Sequence, residues 1–236
     1  MKTLFLLFAL PCFCSATTLY VNASAQAGGD GTASRPFRTI QQAADCVNPG
    51  DTVQIAPGVY FETVRLKRFG KPGAPVIFRA DRIQKNRVIV TGADPAIRRG
   101  ERKWRLFDQT TGTWCIDHPV RPGRILYSGT DLFPYCSLNA LMTFEARPGV
   151  PGPRHGFYHR NGKLFVRLRP DGKYGPTDPN RHTIAVSPRV MPQGDGEKPD
   201  SRSYNFGLLG NAGQDLNVEI NGLTFETPGR TAIYVS

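Results

Sequence analysis

Four basic side chains lie on or beside short β-type segments in the N-terminal part of the chain. They are Arg65, Lys67 and Arg68, which follow or belong to the segment 64–66, and Arg79, which follows the segment 76–78. Guanidinium and ammonium groups bind carboxylates and sulfates through charge-assisted hydrogen bonds. Arg65, Lys67 and Arg79 are therefore candidate contacts for an anionic polymer. The alternative is that they form an ordinary solvated outer face.

Oxygen and imidazole groups offer weaker candidates for metal chemistry. Asp30 and Asp51 lie in glycine-rich turns, where carboxylate oxygens can bind calcium, but aspartate also forms such turns without a metal. His155 and His159 flank an aromatic segment and have no cysteine or carboxylate at ligand spacing, which favours surface positions. We predict no metal site from these residues.

Several aromatic side chains could stack on sugar rings. Trp104, Trp114, Tyr127 and Tyr158 all fall in the middle of the chain. Such aromatics more often form the core of a small sheet domain. The sequence holds no GxSxG, HExxH, Walker or Rossmann pattern, so the catalytic residues stay unassigned.

The N-terminus has the layout of a secretion signal. Lys2 precedes an apolar run over residues 4–10, and Cys14, Ser15 and Ala16 form a small-residue cleavage site. A buried strand or a membrane anchor is the alternative, but the run is too short to span a bilayer. We predict that residues 1–16 are a signal peptide, that the protein is secreted or periplasmic, and that no later segment spans a membrane.

The charge balance indicates an anionic partner. The chain has 30 Lys and Arg against 19 Asp and Glu, a formal net charge of +11. For an exported protein an acidic polysaccharide fits this field better than nucleic acid does. A generally basic, well-solvated surface is the alternative. We therefore expect a polysaccharide partner, no nucleic acid, and a monomer.

The cysteines are too few for a disulfide framework. After removal of the signal peptide, Cys46, Cys115 and Cys136 remain. At most one bridge can form, and Cys115 with Cys136 is the favoured pair because both lie in the middle region. Cys46 falls on what the pattern predicts to be a buried helix face.

One helix is predicted before the β-type segments. Its apolar residues Ile40, Ala43, Ala44 and Val47 recur at helical spacing. Thr39 with Gln42 fits a capping box, and the Asn-Pro-Gly sequence at 48–50 ends the helix.

Short β-branched strands then recur with a regular spacing. They begin at residues 53, 64, 76 and 88, so that alternate strands recur about every 23 or 24 residues. This period favours a β-solenoid, in which each coil stacks on the next, and an antiparallel meander is the alternative. In a solenoid Val53, Ile55, Val64 and Leu66 point inward, while the residues between them face solvent.

The ordered matches resemble the N-terminal segment of pectin-lyase-like right-handed parallel β-helix proteins. The resemblance rests on the sequences at 19–22, 31–32, 36–43, 49–53 and 57–60, and more loosely on 216–236. It implies an all-β solenoid over residues 17–92 whose N-terminal helix caps the open end, shielding the apolar interior and the free strand edges.

Residues 93–190 do not follow the coil period. The Asn-Gly pair at 161–162, between two alternating strands, is a strong signal for a type I′ hairpin. A small antiparallel β domain is predicted here, and it resembles the sandwich inserted in some exported β-helix glycoside hydrolases. Residues 191–203 are predicted to be a return loop, after which coils resume over 204–236. Because the sequence ends within a strand, we expect further C-terminal coils to be missing.

Two functions from different classes follow from the resemblance. The first is an exported carbohydrate-active protein that cleaves a complex polysaccharide, which can be acidic, as a lyase or as a glycoside hydrolase. A lyase would need a basic residue, often with Ca²⁺ as cofactor, and a hydrolase would need two carboxyl groups across the scissile bond. The second is a non-catalytic glycan-binding or adhesion module. Because fold alone does not fix a reaction, the sequence leaves both open.

Overall fold

The computed structural model describes residues 16–81, 88–169, 177–187, 204–211, 213–227 and 231–235. The predicted signal peptide, apart from Ala16, and the predicted return loop at 191–203 lie outside these residues. Among the helices of the described part, none is long and apolar enough to cross a membrane.

Short strands dominate the described residues, which also contain three short α-helices and a 3-10 turn at Pro179–Arg181. The helices are α1 (Ile40–Cys46), α2 (Pro95–Arg98) and α3 (Leu138–Thr143). The strands up to the middle region are β1 (Thr18–Val21), β2 (Thr52–Ile55), β3 (Gly58–Phe61), β4 (Val64–Leu66), β5 (Val76–Ala80) and β6 (Val88–Thr91). Those of the middle region are β7 (Arg105–Asp108), β8 (Thr113–Asp117), β9 (Ile125–Tyr127), β10 (Thr130–Asp131), β11 (Phe133–Pro134), β12 (Glu145–Arg147), β13 (Val150–Pro151), β14 (Gly156–Arg160), β15 (Lys163–Arg167) and β16 (Ile184–Val186). The last are β17 (Tyr204–Leu208), β18 (Val218–Asn221), β19 (Leu223–Glu226) and β20 (Thr231–Val235).

Three parallel sheets form what we call the parallel region, which comprises β1–β6, α1 and β17–β20. The first sheet has the order β1-β2-β5-β18, the second β19-β6-β3 and the third β20-β17-β4. Along the sequence, β2 to β6 and then β17 to β20 visit the first, second and third sheets in the same repeating order. The inner faces of all three sheets contribute to one apolar core.

The side-chain alternation follows the prediction for these strands. Val53, Ile55, Val64 and Leu66 are fully buried, whereas Arg65 between the last two is exposed. Burial of each such aliphatic side chain contributes roughly 1.5–3 kcal/mol relative to leaving it in water. The predicted interior of the first strands is therefore confirmed.

The predicted stacking of the strand at 64 on the strand at 88 is wrong. β6 pairs with β3, a strand absent from the sequence prediction, and β4 pairs with β17, with Val64 opposite Phe206. The strands thus recur through three sheets rather than two, and the middle region separates β4 from its partner along the chain. β2 does pair with β5, as the spacing predicted, but Val53 lies opposite Phe78, so the offset in the register is 25 residues rather than 23.

The predicted helix and its cap are confirmed. α1 begins after Thr39, whose hydroxyl accepts a hydrogen bond from the Gln42 amide, while the Gln42 side chain caps the Thr39 backbone. Glu62, which lies between β3 and β4, provides a second acceptor for the first turn of α1. Its two carboxylate oxygens accept hydrogen bonds from the Ile40 and Gln41 amides, each at 2.9 Å. Burial raises the pKa of the Glu62 carboxyl above 4.5, against the opposing effect of these two amides.

What we call the middle region comprises the described residues from 93 to 187. Its largest sheet has the order β11-β14-β15-β8-β7, and its main core is separate from that of the parallel region. The predicted hairpin is confirmed: β14 and β15 pair antiparallel across Asn161 and Gly162, which both have positive φ. Outside it, α2 and α3 were missed because each is too short to show a helical period.

The favoured cysteine bridge is absent, and the predicted burial of Cys46 is wrong. Cys115 is buried and Cys136 is exposed, and neither is bonded to the other. Cys46, the last residue of α1, is exposed rather than buried, because the apolar face of α1 is covered by Ile40, Ala43 and Ala44.

The chain leaves the parallel region and returns to it at adjacent places. Asn205, at the start of β17, is fully buried and its amide nitrogen donates hydrogen bonds to the carbonyl oxygens of Val90 at 3.1 Å and Glu226 at 3.2 Å. Val90 lies near the end of β6, the last strand before the middle region. One side chain therefore ties the exit strand to the return strand.

Candidate functional site

A cleft lies where the middle region covers the outer face of the second sheet. Its volume is about 580 Å³, within the range of small-molecule sites. We call it the inter-region cleft, and its lining combines two arginines, one glutamate, several residues with hydroxyl groups and three apolar residues. The lining consists of Ile89, Arg98, Arg124, Leu126, Ser128, Gly129, Thr130, Thr183, Thr224, Phe225 and Glu226.

The floor of the cleft is the second sheet. Ile89 of β6 lies opposite Thr224 of β19 in the parallel ladder. Val88 and Val90, on either side of Ile89, are buried in the core. Because side chains alternate along a strand, Ile89 and Thr224 must point outward, toward the middle region. The backbone pairing of β6 and β19 therefore fixes the positions of the residues that form the floor.

The rim of the cleft is a tight turn. Ser128 and Gly129 join β9 to β10, with φ of 46° and 86°. Two consecutive residues at positive φ fit the short hairpin turn whose twist matches its strands. A serine in this backbone conformation is uncommon, and such residues cluster at functional sites. The turn brings the Ser128 and Thr130 side chains to the cleft.

Arg98 and Glu226 form a nearly buried ion pair on one side of the cleft. Arg98 Nε donates to Glu226 Oε2 at 2.5 Å and its Nη2 donates to Oε1 at 3.3 Å. Their side chains are only 12% and 14% exposed, so solvent screens the pair little. Since Arg98 belongs to α2 and Glu226 to β19, the pair joins the middle region to the parallel region.

Arg124 and Asp131 form a second pair on the rim. Arg124 Nε and Nη2 donate to the two carboxylate oxygens of Asp131 at 2.5 and 2.6 Å, a two-point contact between planar groups. The hydrogen bonds from Arg124 lower the pKa of the Asp131 carboxyl, and those bonds raise the pKa of the Arg124 guanidinium. Both groups therefore stay charged near neutral pH.

This arrangement is suited to binding a polar, hydroxyl-rich molecule. Hydroxyl groups donate and accept, the paired carboxylates keep free lone pairs, and Ile89 offers an apolar surface. Within the described residues the lining holds a single carboxylate, Glu226, which Arg98 already engages. The described part of the cleft therefore supplies binding groups, and no catalytic pair is assigned to it.

The basic residues predicted from the sequence lie elsewhere. Arg65 and Lys67 are exposed on and just after β4 of the third sheet. Arg79 is exposed on β5 of the first sheet, and its Nε donates to Gln54 Oε1 at 3.0 Å. These side chains therefore occupy two different outer faces, and none belongs to the described cleft lining. Arg68 is exposed next to Lys67.

The turn aspartates have structural partners. Asp51 is buried, and its two oxygens accept hydrogen bonds from the Thr17 and Asn48 amides, both at 2.8 Å. Asp30 accepts from the Thr32 amide and hydroxyl and pairs with Arg35 at 3.2 Å. In the part of the chain that the structure describes, no group of three or more His, Cys, Asp or Glu side chains could hold a metal ion.

The histidines and aromatics mostly serve packing. His159 Nε2 hydrogen-bonds the His118 carbonyl at 2.8 Å, and His155 is half-buried. Trp104 is buried in the main core of the middle region, with Trp114 and Tyr127 packed against that core. Tyr158 stacks on Phe165, with ring centroids 6.3 Å apart. These aromatic residues therefore pack within the middle region, which is the alternative to sugar stacking that the sequence left open.

Sequence reasoning missed Arg98, Arg124 and Glu226. Arg98 and Glu226 are distant in sequence and meet only because β6 and β19 are neighbours. The Ser-Gly pair at 128–129 was the one available signal, since Ser-Gly dipeptides mark turns. Nothing local distinguishes Arg124 from the other arginines of the chain.

Comparison with known proteins concerns mainly the N-terminal part and the fold. Residues 24–67 match the model of the family DUF1565, described as a protein of unknown function. The uncharacterized protein YwoF of Bacillus subtilis (strain 168) is 35% identical over 78 residues, which are 33% of this chain and 16% of YwoF. This chain therefore spans less than a fifth of the length of that relative.

A solved structure extends the similarity over most of the chain. The complex of XylC with xylose superposes with a TM-score of 0.60 and 15% sequence identity, covering 91% of this chain and 36% of XylC. This chain spans about a third of the length of XylC. Together, the family match and the structural similarity support a pectin-lyase-like β-helix fold for this chain.

Proposed function

We propose that this chain belongs to an exported, carbohydrate-active β-helix protein and that the inter-region cleft binds a polysaccharide. The cleft carries this proposal: about 580 Å³ of space lined by hydroxyl groups, apolar residues and two arginines, each of which is paired with a carboxylate. Carbohydrates are bound by this combination of fixed polar groups and apolar faces. XylC, which was solved with xylose, supports a sugar as the first ligand to test.

The proposed architecture is a right-handed solenoid with α1 as its N-terminal cap. Residues 17–92 and 204–236 would form the coils, residues 93–190 an inserted β domain and residues 191–203 the return loop. The repeating order of sheets along the chain supports the solenoid. The Glu62 carboxylate, which binds the first turn of α1, supports the capping role. Residues 1–16 would direct the protein to the periplasm or the medium.

The proposed reaction is cleavage of the polysaccharide by the whole protein, as a lyase or as a glycoside hydrolase. Its catalytic residues would lie outside the described cleft lining, and Ca²⁺ would be a cofactor in the lyase case. A glycan-binding or adhesion role without catalysis is the second candidate. The half-exposed Arg124–Asp131 pair favours it, because both groups are already engaged with each other.

The outer basic residues would serve a separate role. We assign Arg65, Lys67 and Arg79 to contacts with an anionic glycan along the outside of the third and first sheets. All three are exposed, and the net charge of +11 draws polyanions toward such surfaces. These contacts would be lost at high ionic strength.

The reaction is tested by incubating the natural secreted protein with polyuronates and neutral glycans, with and without a chelator. Ultraviolet absorbance of unsaturated products and release of reducing ends are followed together. Absorbance that chelation abolishes would identify a calcium-dependent lyase, and reducing ends without absorbance would identify a hydrolase. Glycan binding without either signal would leave the adhesion role.

The location of binding is tested with Thr130→Trp. Thr130 is exposed on the rim, so the larger side chain would fill the cleft without disturbing a core. We expect affinity for the glycan to fall at least about tenfold, as roughly 1.4 kcal/mol of binding energy is lost. Thr110→Trp, at an exposed turn outside the described lining, is the matched control. Unchanged affinity in Thr130→Trp would contradict the assignment to the cleft.

A further inference from the structure

The charges of the inter-region cleft are balanced, although the chain as a whole is strongly basic. Each of the two arginines that line it has its own carboxylate, Glu226 for Arg98 and Asp131 for Arg124. Both pairs make contacts through two nitrogens, which occupies the Nε–Nη2 edge of each guanidinium. The described lining therefore offers no uncommitted cation.

A uronate or sulfated sugar requires such a cation. Its negative group must lose water to enter the cleft, and without an opposite charge this desolvation is not repaid. It would also approach the carboxylate of Glu226 or Asp131 and be repelled. To bind Arg124 it would have to displace Asp131, whose lowered pKa reflects how well the existing bonds stabilise the ionised carboxyl.

The rest of the lining suits an uncharged sugar. Ser128, Thr130 and Thr183 present hydroxyl groups, which can exchange hydrogen bonds with sugar hydroxyls. Ile89 and Leu126 present apolar surface for the C–H faces of a sugar ring. The paired carboxylates can still accept hydrogen bonds from sugar hydroxyls through lone pairs that the arginines leave unused.

We propose that the inter-region cleft selects neutral sugars over anionic ones, and that Asp131 enforces this selection by neutralising Arg124. This inference rests on the proposed function, since it names the substrate class of the same cleft. It also separates two kinds of surface on one protein. The outer basic residues attract a polyanion, whereas the cleft excludes the anionic units and accepts neutral ones.

The decisive variant is Asp131→Asn. The Asp131 side chain is 55% exposed, so its replacement removes a charge without leaving a buried cavity. Arg124 would then be free to bind a sugar carboxylate at the rim. Asp117→Asn is the matched control, because Asp117 is also an exposed partner of an arginine, Arg105, at 2.9 Å, and it is outside the described lining.

Binding is measured by calorimetry on the natural secreted protein in about 0.15 M salt, where surface attraction is largely screened. The probes are neutral xylo-, arabino- and gluco-oligosaccharides and, as the anionic probe, oligogalacturonate. We expect at least one neutral probe to bind about tenfold or more tighter than oligogalacturonate. In Asp131→Asn the affinity for oligogalacturonate should rise about tenfold, and in Asp117→Asn it should stay unchanged.

Thr130→Trp tests whether the binding of each probe occurs in the inter-region cleft. Binding of the neutral probe, and the gain of oligogalacturonate binding in Asp131→Asn, should both be lost when Thr130→Trp is added. Oligogalacturonate binding that exceeds neutral binding in the wild type and is lost in Thr130→Trp would overturn the inference while leaving the glycan-binding cleft in place. No affinity gain in Asp131→Asn would also overturn it. The absence of binding to every probe would overturn the proposed function itself.

Discussion

The parallel region and the middle region are built from β-strands in opposite ways. In the parallel region β4 finds its partner, β17, only after the whole middle region has intervened. In the middle region β14 and β15 pair across a two-residue turn. Local pairing costs little loop-closure entropy, whereas distant pairing must wait until the chain between has been arranged. The middle region can therefore form hairpins early, and the parallel region depends on register between distant segments.

The two regions also have separate apolar cores, and polar contacts connect them. Phe78 and Phe206 meet edge to face in the parallel region at 5.1 Å, while Leu164 is fully buried in the middle region. The Arg98–Glu226 pair crosses between the regions beside the cleft. Substitutions in each core and in the connecting pair can therefore show how independent the regions are.

The largest effect is expected for Phe206→Ala. Phe206 is fully buried between the rings of Phe78 and Phe225, so its truncation leaves a cavity and should cost about 3–5 kcal/mol. In hydrogen-exchange measurements, β4 and β17 amides should lose protection while β14 and β15 amides keep it. Leu164→Ala should show the opposite pattern. Equal loss of protection in both regions after either substitution would show that the cores unfold as one unit.

A smaller effect is expected for Arg98→Ala. It leaves the Glu226 carboxylate nearly buried without its partner, which should cost about 3 kcal/mol in urea unfolding. Arg105→Ala breaks an ion pair whose members are 63% and 66% exposed and should cost less than about 1 kcal/mol. If the two substitutions cost the same, the connection between the regions does not depend on the buried pair.

A third effect concerns the docking of α1 on the parallel region. Glu62→Ala removes the acceptor of two helix amides and should cost about 1–3 kcal/mol, whereas Glu101→Ala, at an exposed site, should be nearly neutral. Because burial raises the Glu62 pKa in the folded state, its extra stabilisation is full below pH 4.5 and is lost as pH rises through the folded pKa. Urea unfolding should therefore show a larger cost of Glu62→Ala near pH 4 than near pH 7. A larger cost at neutral pH would reverse the sign of this linkage.

The smallest effect is expected for Gly162→Ala in the β14–β15 turn. Gly162 has φ of 70°, a conformation in which a β-carbon costs about 1–2 kcal/mol. Thermal unfolding followed by tryptophan fluorescence, which reports on the middle region because Trp104 and Trp114 lie there, should shift to lower temperature. Lys163→Ala should leave the unfolding temperature unchanged. If the hairpin is an early local element, refolding of the middle region should slow as well. An unchanged refolding rate would place its formation late.

The sequence predicted those parts of the fold that depend on local pattern. The capped helix α1, the inward residues Val53 and Ile55, and the Asn-Gly hairpin were all correct, because each is specified by residues within one turn or one strand. β3 was missed because proline and glycine at 57–58 hide a strand that the neighbouring β6 supports. The short helices α2 and α3 carry too few residues for a period.

The candidate cleft could not be predicted from the sequence. Its floor and its rim come from segments on both sides of the middle region, and its charge balance depends on which arginine meets which carboxylate. The basic residues that did stand out, Arg65, Lys67 and Arg79, lie on outer faces. Local sequence thus locates charges on strands, whereas only the fold decides which charges neutralise each other.

The double contact of Asn205 has an evolutionary consequence. Its amide holds the exit strand and the return strand together, so the ends of the middle region lie side by side. Insertions whose ends are close together are tolerated because they leave the host's own pairings intact. A lineage could therefore acquire, exchange or lose the whole middle region by a single recombination event at this point, and the surrounding parallel strands would keep their register.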